Sequence, residues 1–200
     1  PIVASLVAQL MQAAGIEHVV TLDLHAAQIE GFFRIPIDSL TAVPTLCRAL
    51  GDRLPAGVVI VSPDAGRVKT ATEYAHRLDA PVVVLHKRRA TGTETEVTHV
   101  VGEVRDRPCL IIDDMISTGG TIARAVEALL AAGARPPITV AATHGLFVGP
   151  ARATLGHEAI RDIFVTDTVA LADRSWPQLR IISVAPLLAA AIRRLCADGS

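Results

Sequence analysis

The stretch Asp113-Asp114-Met115-Ile116-Ser117-Thr118-Gly119-Gly120-Thr121 gathers the residue types that hold a phosphorylated sugar. It follows the apolar run Leu110-Ile111-Ile112 and leads into a helical pattern. A turn rich in Gly, Ser and Thr at a helix start offers backbone N–H groups and hydroxyls to an anion, and the helix dipole adds to the attraction. Gly119 and Gly120 permit a tight turn and let a phosphate approach the backbone. The carboxylates of Asp113 and Asp114 suit a pair of ribose hydroxyls, or a magnesium ion through water. A Walker A loop would end in Gly-Lys-Ser/Thr, and this one does not. The plain alternative is a strand-to-helix turn in which Asp, Ser and Thr act only as caps. That alternative accounts poorly for two acids before the turn and Thr118-Gly119-Gly120-Thr121 after it.

Three more clusters carry groups capable of chemistry. Asp23-Leu24-His25 closes the run His18-Val19-Val20-Thr21-Leu22, where Asp23 could cap a helix and His25 could be a polar turn residue. Ser62-Pro63-Asp64-Ala65-Gly66-Arg67 follows Val61 and reads either as a ligand loop or as a turn without chemistry. Lys87-Arg88-Arg89 ends an apolar run and enters the polar stretch 90–96. Three successive cations are either a solvated edge or a clamp on anionic substrate.

The elements that must position these groups alternate along the chain. Val3, Leu6, Val7, Leu10, Met11 and Ala14 recur at helical spacing, and Gly15 follows as a stop. A short buried strand over 18–22 and a helix over 43–53 come next. Then follow a strand over 58–61, a helix over 68–78, and strands over 82–85, 98–104 and 110–112. A helix over 121–132, strands over 138–142, 163–165 and 180–184, and a helix over 186–195 complete the pattern. Strands alternating with helices predict an α/β fold with a parallel sheet. Ligands of such sheets sit beyond the carboxyl ends of the strands, where the polar clusters fall. The composition agrees, because 50% of residues are hydrophobic but only 3% aromatic, so the core is built from Val, Ile, Leu and Ala.

Charge and cysteine usage narrow the partners. With 19 basic and 20 acidic residues there is no global field to hold a polyanion, so neither nucleic acid nor an anionic membrane is expected. Cys47, Cys109 and Cys196 lie far apart and fit reduced thiols in a cytoplasmic protein better than a disulfide framework or a zinc site. No stretch approaches ~18 uninterrupted apolar residues, and the first residues lack the basic start of a signal peptide. The chain opens on Pro1 rather than Met, which reads as a piece of a longer or processed chain.

In its setting, the string from Ile111 to Thr121 resembles the phosphoribosyl pyrophosphate loop shared by type I phosphoribosyltransferases and phosphoribosyl pyrophosphate synthetases. The resemblance implies that Ser117, Thr118, Gly119, Gly120 and Thr121 hold a ribose 5-phosphate, with Asp113 and Asp114 on the ribose hydroxyls. Many synthetases carry Asp where this chain has Ser117. Thr21-Leu22-Asp23-Leu24-His25-Ala26 is similar to the synthetases' Asp-Leu-His motif, implying that His25 helps hold nucleotide-bound magnesium. Val61-Ser62-Pro63-Asp64-Ala65-Gly66 resembles the loop whose Asp is a magnesium ligand, here Asp64, with Arg67 in place of the usual second glycine. Leu85-His86-Lys87-Arg88-Arg89 resembles the catalytic flexible loop, implying that Lys87 and Arg89 close over the transferring phosphates and that Arg89 also meets the ribose 5-phosphate. Weaker likeness continues over 142–151 and 165–168, so the resemblance covers nearly the whole chain.

The synthetase branch implies a phosphoribosyltransferase-like parallel sheet flanked by helices, with a partial second domain of the same type. Residues 1–42 would be the remainder of the amino-terminal domain, 43–185 the carboxy-terminal domain, and 186–200 a helix returning to the first. The implied reaction turns ATP and ribose 5-phosphate into AMP and phosphoribosyl pyrophosphate, with Mg2+ as cofactor. A homo-oligomer built on dimers, up to a hexamer, is also implied. The family's amino-terminal Arg-Gln and Phe–Asp–Glu contacts to ATP have no counterpart here, so a nearly complete ribose-phosphate site and an incomplete ATP site are expected. The alternatives are a phosphoribosyltransferase, which needs neither His25 nor Lys87 and Arg89, and a non-catalytic or truncated synthetase-like subunit.

Overall fold

The computed structural model describes residues 2–88, 97–171 and 175–198, which divide between two units, Pro1–Ala42 and Val43–Ser200. In the first unit the apolar spacing produces helix α1 (Ile2–Ala13). Gly15, at φ +86°, stops it as the repeat predicts. Its N–H bonds to Gln12 O and the next N–H bonds to Met11 O, the paired bonds of a glycine helix stop. Strand β1 (Val19–Leu22) pairs in parallel with β2 (Ile37–Leu40), from Val19 opposite Ile37 to Leu22 opposite Leu40. The apolar run predicts a buried strand here, but Val19 alone of the four β1 residues is buried. A two-stranded ladder leaves each strand one edge and much of both faces uncovered. A 3-10 turn over Ala27–Phe32 joins the strands. A pocket of about 530 Å³ opens beside α1, between Gln9, Gln12, Phe32 and Arg34.

The second unit is built on seven strands. They are β3 (Val59–Ser62), β4 (Val82–Arg88), β5 (Val97–Val101), β6 (Cys109–Ile116), β7 (Ile138–Gly145), β8 (Ile160–Thr166) and β9 (Leu179–Ile182). Their spatial order is β5-β4-β3-β6-β7-β8-β9. Every neighbouring pair is parallel except β4 with β5, which run antiparallel with Leu85 opposite Val100. The alternating pattern predicts a parallel sheet, and the sheet is parallel but for this edge pair. The segment between these two strands, 89–96, is shorter than the roughly twelve residues a parallel crossover needs, so the second strand can only turn back.

Helices α2 (Val43–Gly51), α3 (Val68–Leu78), α4 (Gly120–Ala131), α5 (Ala151–Thr154) and α6 (Ala185–Asp198) complete the unit. Val59, Val61, Ile111, Val140, Ala142 and Val165 form one buried cluster with Ile122, Val126 and Leu129 of α4. The alternate residues Ile60, Leu110, Ile112, Ala141 and Phe164 are buried as well, and α2 and α3 pack together against the strands. Burial on both faces explains why these strands read as continuous Val/Ile/Leu/Ala runs. All three cysteines are free; Cys47 and Cys109 are buried, and Cys196 is exposed on α6. Burial pushes the Cys47 thiol up to about 12 and the Cys109 thiol up to about 11. Among the described residues no helix is long and apolar enough to cross a membrane.

Candidate functional site

The centre of the sheet puts β3 beside β6, paired from Val59–Cys109 to Val61–Ile111. The segments beyond Ser62 and beyond Ile112 therefore leave the same edge side by side. The sequence pattern ends a strand at Ile112, but β6 runs on to Ile116, because β7 continues to pair with it as far as Gly145. Asp113 and Asp114 are thus held inside a strand rather than in a loop. Asp113 Oδ1 accepts from the Asp114 N–H at 2.9 Å, and Asp114 Oδ1 accepts from the Met115 N–H at 2.9 Å. Each acid is fixed by the backbone just after it.

From β3 the chain enters a 3-10 turn over Ala65–Arg67. Asp64 caps it, with Oδ1 accepting from Gly66 N at 2.8 Å and Arg67 N at 3.2 Å. Ser62 donates to the Asp64 carbonyl at 2.7 Å. This capped turn sends Arg67 across to β6, where Nη2 lies 2.9 Å from Asp114 Oδ2 and Nε 3.5 Å from Asp113 Oδ1. The three side chains are 17%, 8% and 13% exposed, in the order Arg67, Asp114, Asp113. Burial and the neighbouring Asp114 push the Asp113 carboxyl up to about 7, against a weaker downward pull from Arg67. A carboxyl poised there changes charge near neutrality.

Beyond β6 the chain turns through residues 117–119 into α4. Ser117 and Thr118 are exposed, Gly119 is buried at φ +79°, and α4 begins at Gly120 with no side-chain cap bond. Gly119 is required for conformation and for space, since a Cβ there would lie 2.8 Å from Leu155 Cγ. Gly120 is not: a Cβ would meet Arg124 Nη1 at 3.5 Å and Thr118 Oγ1 at 3.7 Å, both ordinary contacts. The loop is tied down by N–H groups of Leu146 and Phe147 on the Ile116 carbonyl and of Val148 on the Ser117 carbonyl. The first N–H groups of a helix lack intrahelical acceptors, so the turn at Gly119–Thr121 presents donors to an anion.

Two features at this edge do not stand out in the sequence. Arg124, one turn into α4, brings a guanidinium over the loop. Its signal is a cation at helical spacing from Gly120. His144 and Thr168, at the ends of β7 and β8, are joined at 2.9 Å, and Thr166 donates to the Thr143 carbonyl at 2.7 Å. Met115 pairs with His144, so this polar cluster borders the loop.

The remaining expected site residues fall elsewhere. Lys87 lies in β4 opposite Thr98, beyond Val84, the last β4 residue paired with β3, and so beyond the same edge. Arg89 lies outside the described residues. His25 is exposed in the first unit, between β1 and the 3-10 turn. Asp23 does not cap that turn. Ala26 holds the cap position, and Asp23 accepts instead from the Ala42 N–H at 2.9 Å. Among the described residues no group of three or more His, Cys, Asp or Glu side chains could hold a metal ion. With Asp64 Oδ1 spent on two backbone donors and the acid pair bridged by Arg67, these side chains do not fit a resident magnesium.

Known proteins are similar to this chain along its length. The chain is 44% identical to a ribose-phosphate pyrophosphokinase of Corynebacterium efficiens, an alignment covering 100% of this chain and 62% of that protein. It is 43% identical to one of Streptomyces avermitilis, covering 100% of this chain and 63% of the relative. The crystal structure of phosphoribosylpyrophosphate synthetase from Mycobacterium smegmatis superposes with a TM-score of 0.90 at 41% identity, covering 99% of this chain and 65% of that one. The chain therefore spans less than two thirds of the length of these relatives. The profile of the phosphoribosyl transferase domain matches residues 55–155, from just before β3 to the end of α5. That span holds Asp64, Arg67, the acid pair and the glycine turn, and the chain belongs to the phosphoribosyl transferase domain family.

Proposed function

We propose that this chain is the ribose-phosphate-binding part of a ribose-phosphate pyrophosphokinase, which makes phosphoribosyl pyrophosphate and AMP from ribose 5-phosphate and ATP. The observation that carries the reading is the β6–α4 connection. It combines a fixed acid pair with a buried positive-φ glycine and an uncapped helix start. Similarity to pyrophosphokinases over the full chain supports this reaction among those of the domain family.

In this reading the N–H groups and hydroxyls of Ser117, Thr118, Gly119, Gly120 and Thr121 grip the 5-phosphate, while Asp113 and Asp114 accept hydrogen bonds from the ribose hydroxyls. The sugar is then fixed with its 1-hydroxyl directed at the β-phosphorus of ATP. The new O–P bond forms as the bond from the β-phosphorus to the α,β-bridging oxygen breaks; AMP leaves with that oxygen and the hydroxyl proton is lost. Such transfer is catalysed by positioning and by charge placed on the phosphoryl oxygens, the role given to Lys87 and Arg89. Magnesium arrives with the nucleotide as part of the substrate rather than as a resident ion of this chain.

Residues 1–42 are read as the remainder of an amino-terminal domain and 43–185 as the carboxy-terminal domain. A homo-oligomer built on dimers, up to a hexamer, is part of the same proposal, as is a cytoplasmic setting. The test is calorimetric titration of the chain with ribose 5-phosphate, followed by assay for AMP release from ATP. Saturable sugar-phosphate binding with AMP release is expected. Transfer of the phosphoribosyl group from phosphoribosyl pyrophosphate to a base, with release of pyrophosphate and no AMP formed from ATP, would shift the assignment to a phosphoribosyltransferase. A folded chain that binds no ribose 5-phosphate would overturn the reading.

A further inference from the structure

The acid pair already has a cation. Asp113 and Asp114 are neighbours in a strand and largely buried, an arrangement whose desolvation and mutual repulsion demand a positive charge close by. Arg67 supplies it, and its approach is built in. Asp64 holds the Gly66 and Arg67 N–H groups, which fixes the turn that carries the guanidinium to β6. At least three of the four acid oxygens have partners: Asp113 Oδ1 with Asp114 N, Asp114 Oδ1 with Met115 N, and Asp114 Oδ2 with Arg67. A magnesium ion needs several oxygens in a near-octahedral shell, and a guanidinium 2.9 Å from the same carboxylate repels it.

We propose that Arg67 is a specificity-determining residue that acts as the resident counter-ion of Asp113 and Asp114, so that the pair recognises the sugar hydroxyls of a ribose phosphate with no divalent cation at the acids. The inference rests on the ribose-phosphate reading above and deepens it. Arg67 offsets negative charge at the diol position, where the Asp113 carboxyl is itself pushed up to about 7, and residues 117–121 add no acid. The phosphate of the ligand is thus not repelled from the loop, and the sugar hydroxyls meet acceptors whose geometry is fixed before binding. A guanidinium keeps its charge at every accessible pH and has five donors in a rigid plane, so it can face both acids at once.

The test is calorimetric titration with ribose 5-phosphate of the wild-type chain, Arg67→Gln and Arg67→Lys, each with chelator and with saturating magnesium. The wild type is expected to bind equally, within about threefold, in the two buffers. Arg67→Gln should bind about 10- to 30-fold more weakly in chelator, consistent with loss of a charged partner, and should recover with magnesium. Arg67→Lys should retain binding in chelator. A second readout uses Mn2+ alone: Arg67→Gln gains a site, seen by electron paramagnetic resonance, that the wild type lacks. Wild-type binding that requires magnesium, or an Arg67→Gln variant indistinguishable from wild type, overturns the inference and leaves the ribose-phosphate reading standing. The two wild-type titrations decide the matter even if Arg67→Gln does not fold. No binding by any form in either buffer overturns the underlying reading and this inference with it.

Discussion

Asp64 and Asp113 carry the same side chain just beyond the pairing of neighbouring parallel strands, yet the fold uses them differently. Asp64 spends an oxygen on two backbone N–H groups and shapes a turn. Asp113 sits in a strand, gives Oδ1 to the single N–H of Asp114, and faces Arg67 and Asp114 rather than shaping a turn. Topology brings acids to an edge; the local backbone decides whether each is spent on architecture or kept for a ligand.

The sharpest way to break this contrast is to remove each acid in turn. Asp113→Ala should weaken ribose 5-phosphate binding by about 10- to 100-fold, the worth of a charge-assisted hydrogen bond, while Asp64→Ala changes it less than about threefold. Equal losses in calorimetric titration would show that both acids serve the ligand alike.

Next in size is the response to pH. The folded Asp113 carboxyl, raised to about 7, keeps its proton over a range in which the unfolded chain has lost it. The folded state then binds more protons than the unfolded state, so stability falls as pH rises from about 4 to 7 and levels off above. Asp113→Asn removes that dependence, and urea unfolding midpoints should fall less steeply across the interval than in wild type. An unchanged slope would place the carboxyl in the ordinary range.

The smallest effect concerns Asp64 as a cap. Asp64→Ala should cost about 1 kcal/mol, lowering Tm by about 2–4 °C, whereas Asp64→Asn, still a capping side chain, should keep most of that stability. Equal losses in the two variants would mean that the charge, not the cap, is what the turn needs.

Much of this frame is legible in the residues. Helix α3 can be read over 68–78 because its apolar face repeats cleanly and Asp79, at φ 48°, ends it. The strands of the large sheet announce themselves because burial on both faces leaves only Val, Ile, Leu and Ala. Strand β2 is not legible, since Asp38 and Ser39 at its centre are exposed and four residues with polar middles look like loop. The end of β6 is hidden for a related reason: acids read as loop until a neighbour such as β7 is known to pair beyond them. Asp113, Asp114 and Gly119 are legible as a site because their chemistry lies in one short string. The bridge from Arg67 is not, because it exists only once β3 and β6 are adjacent, 46 positions apart at Arg67 and Asp113.

The three cysteines have a practical consequence. Two are sealed inside the second unit, with thiols that burial holds far from the reactive thiolate form, and the third stands in the open on the last helix. A maleimide dye added to this folded chain would therefore attach at Cys196 alone, providing a single optical reporter, or one fixed point of surface attachment, without engineering the chain.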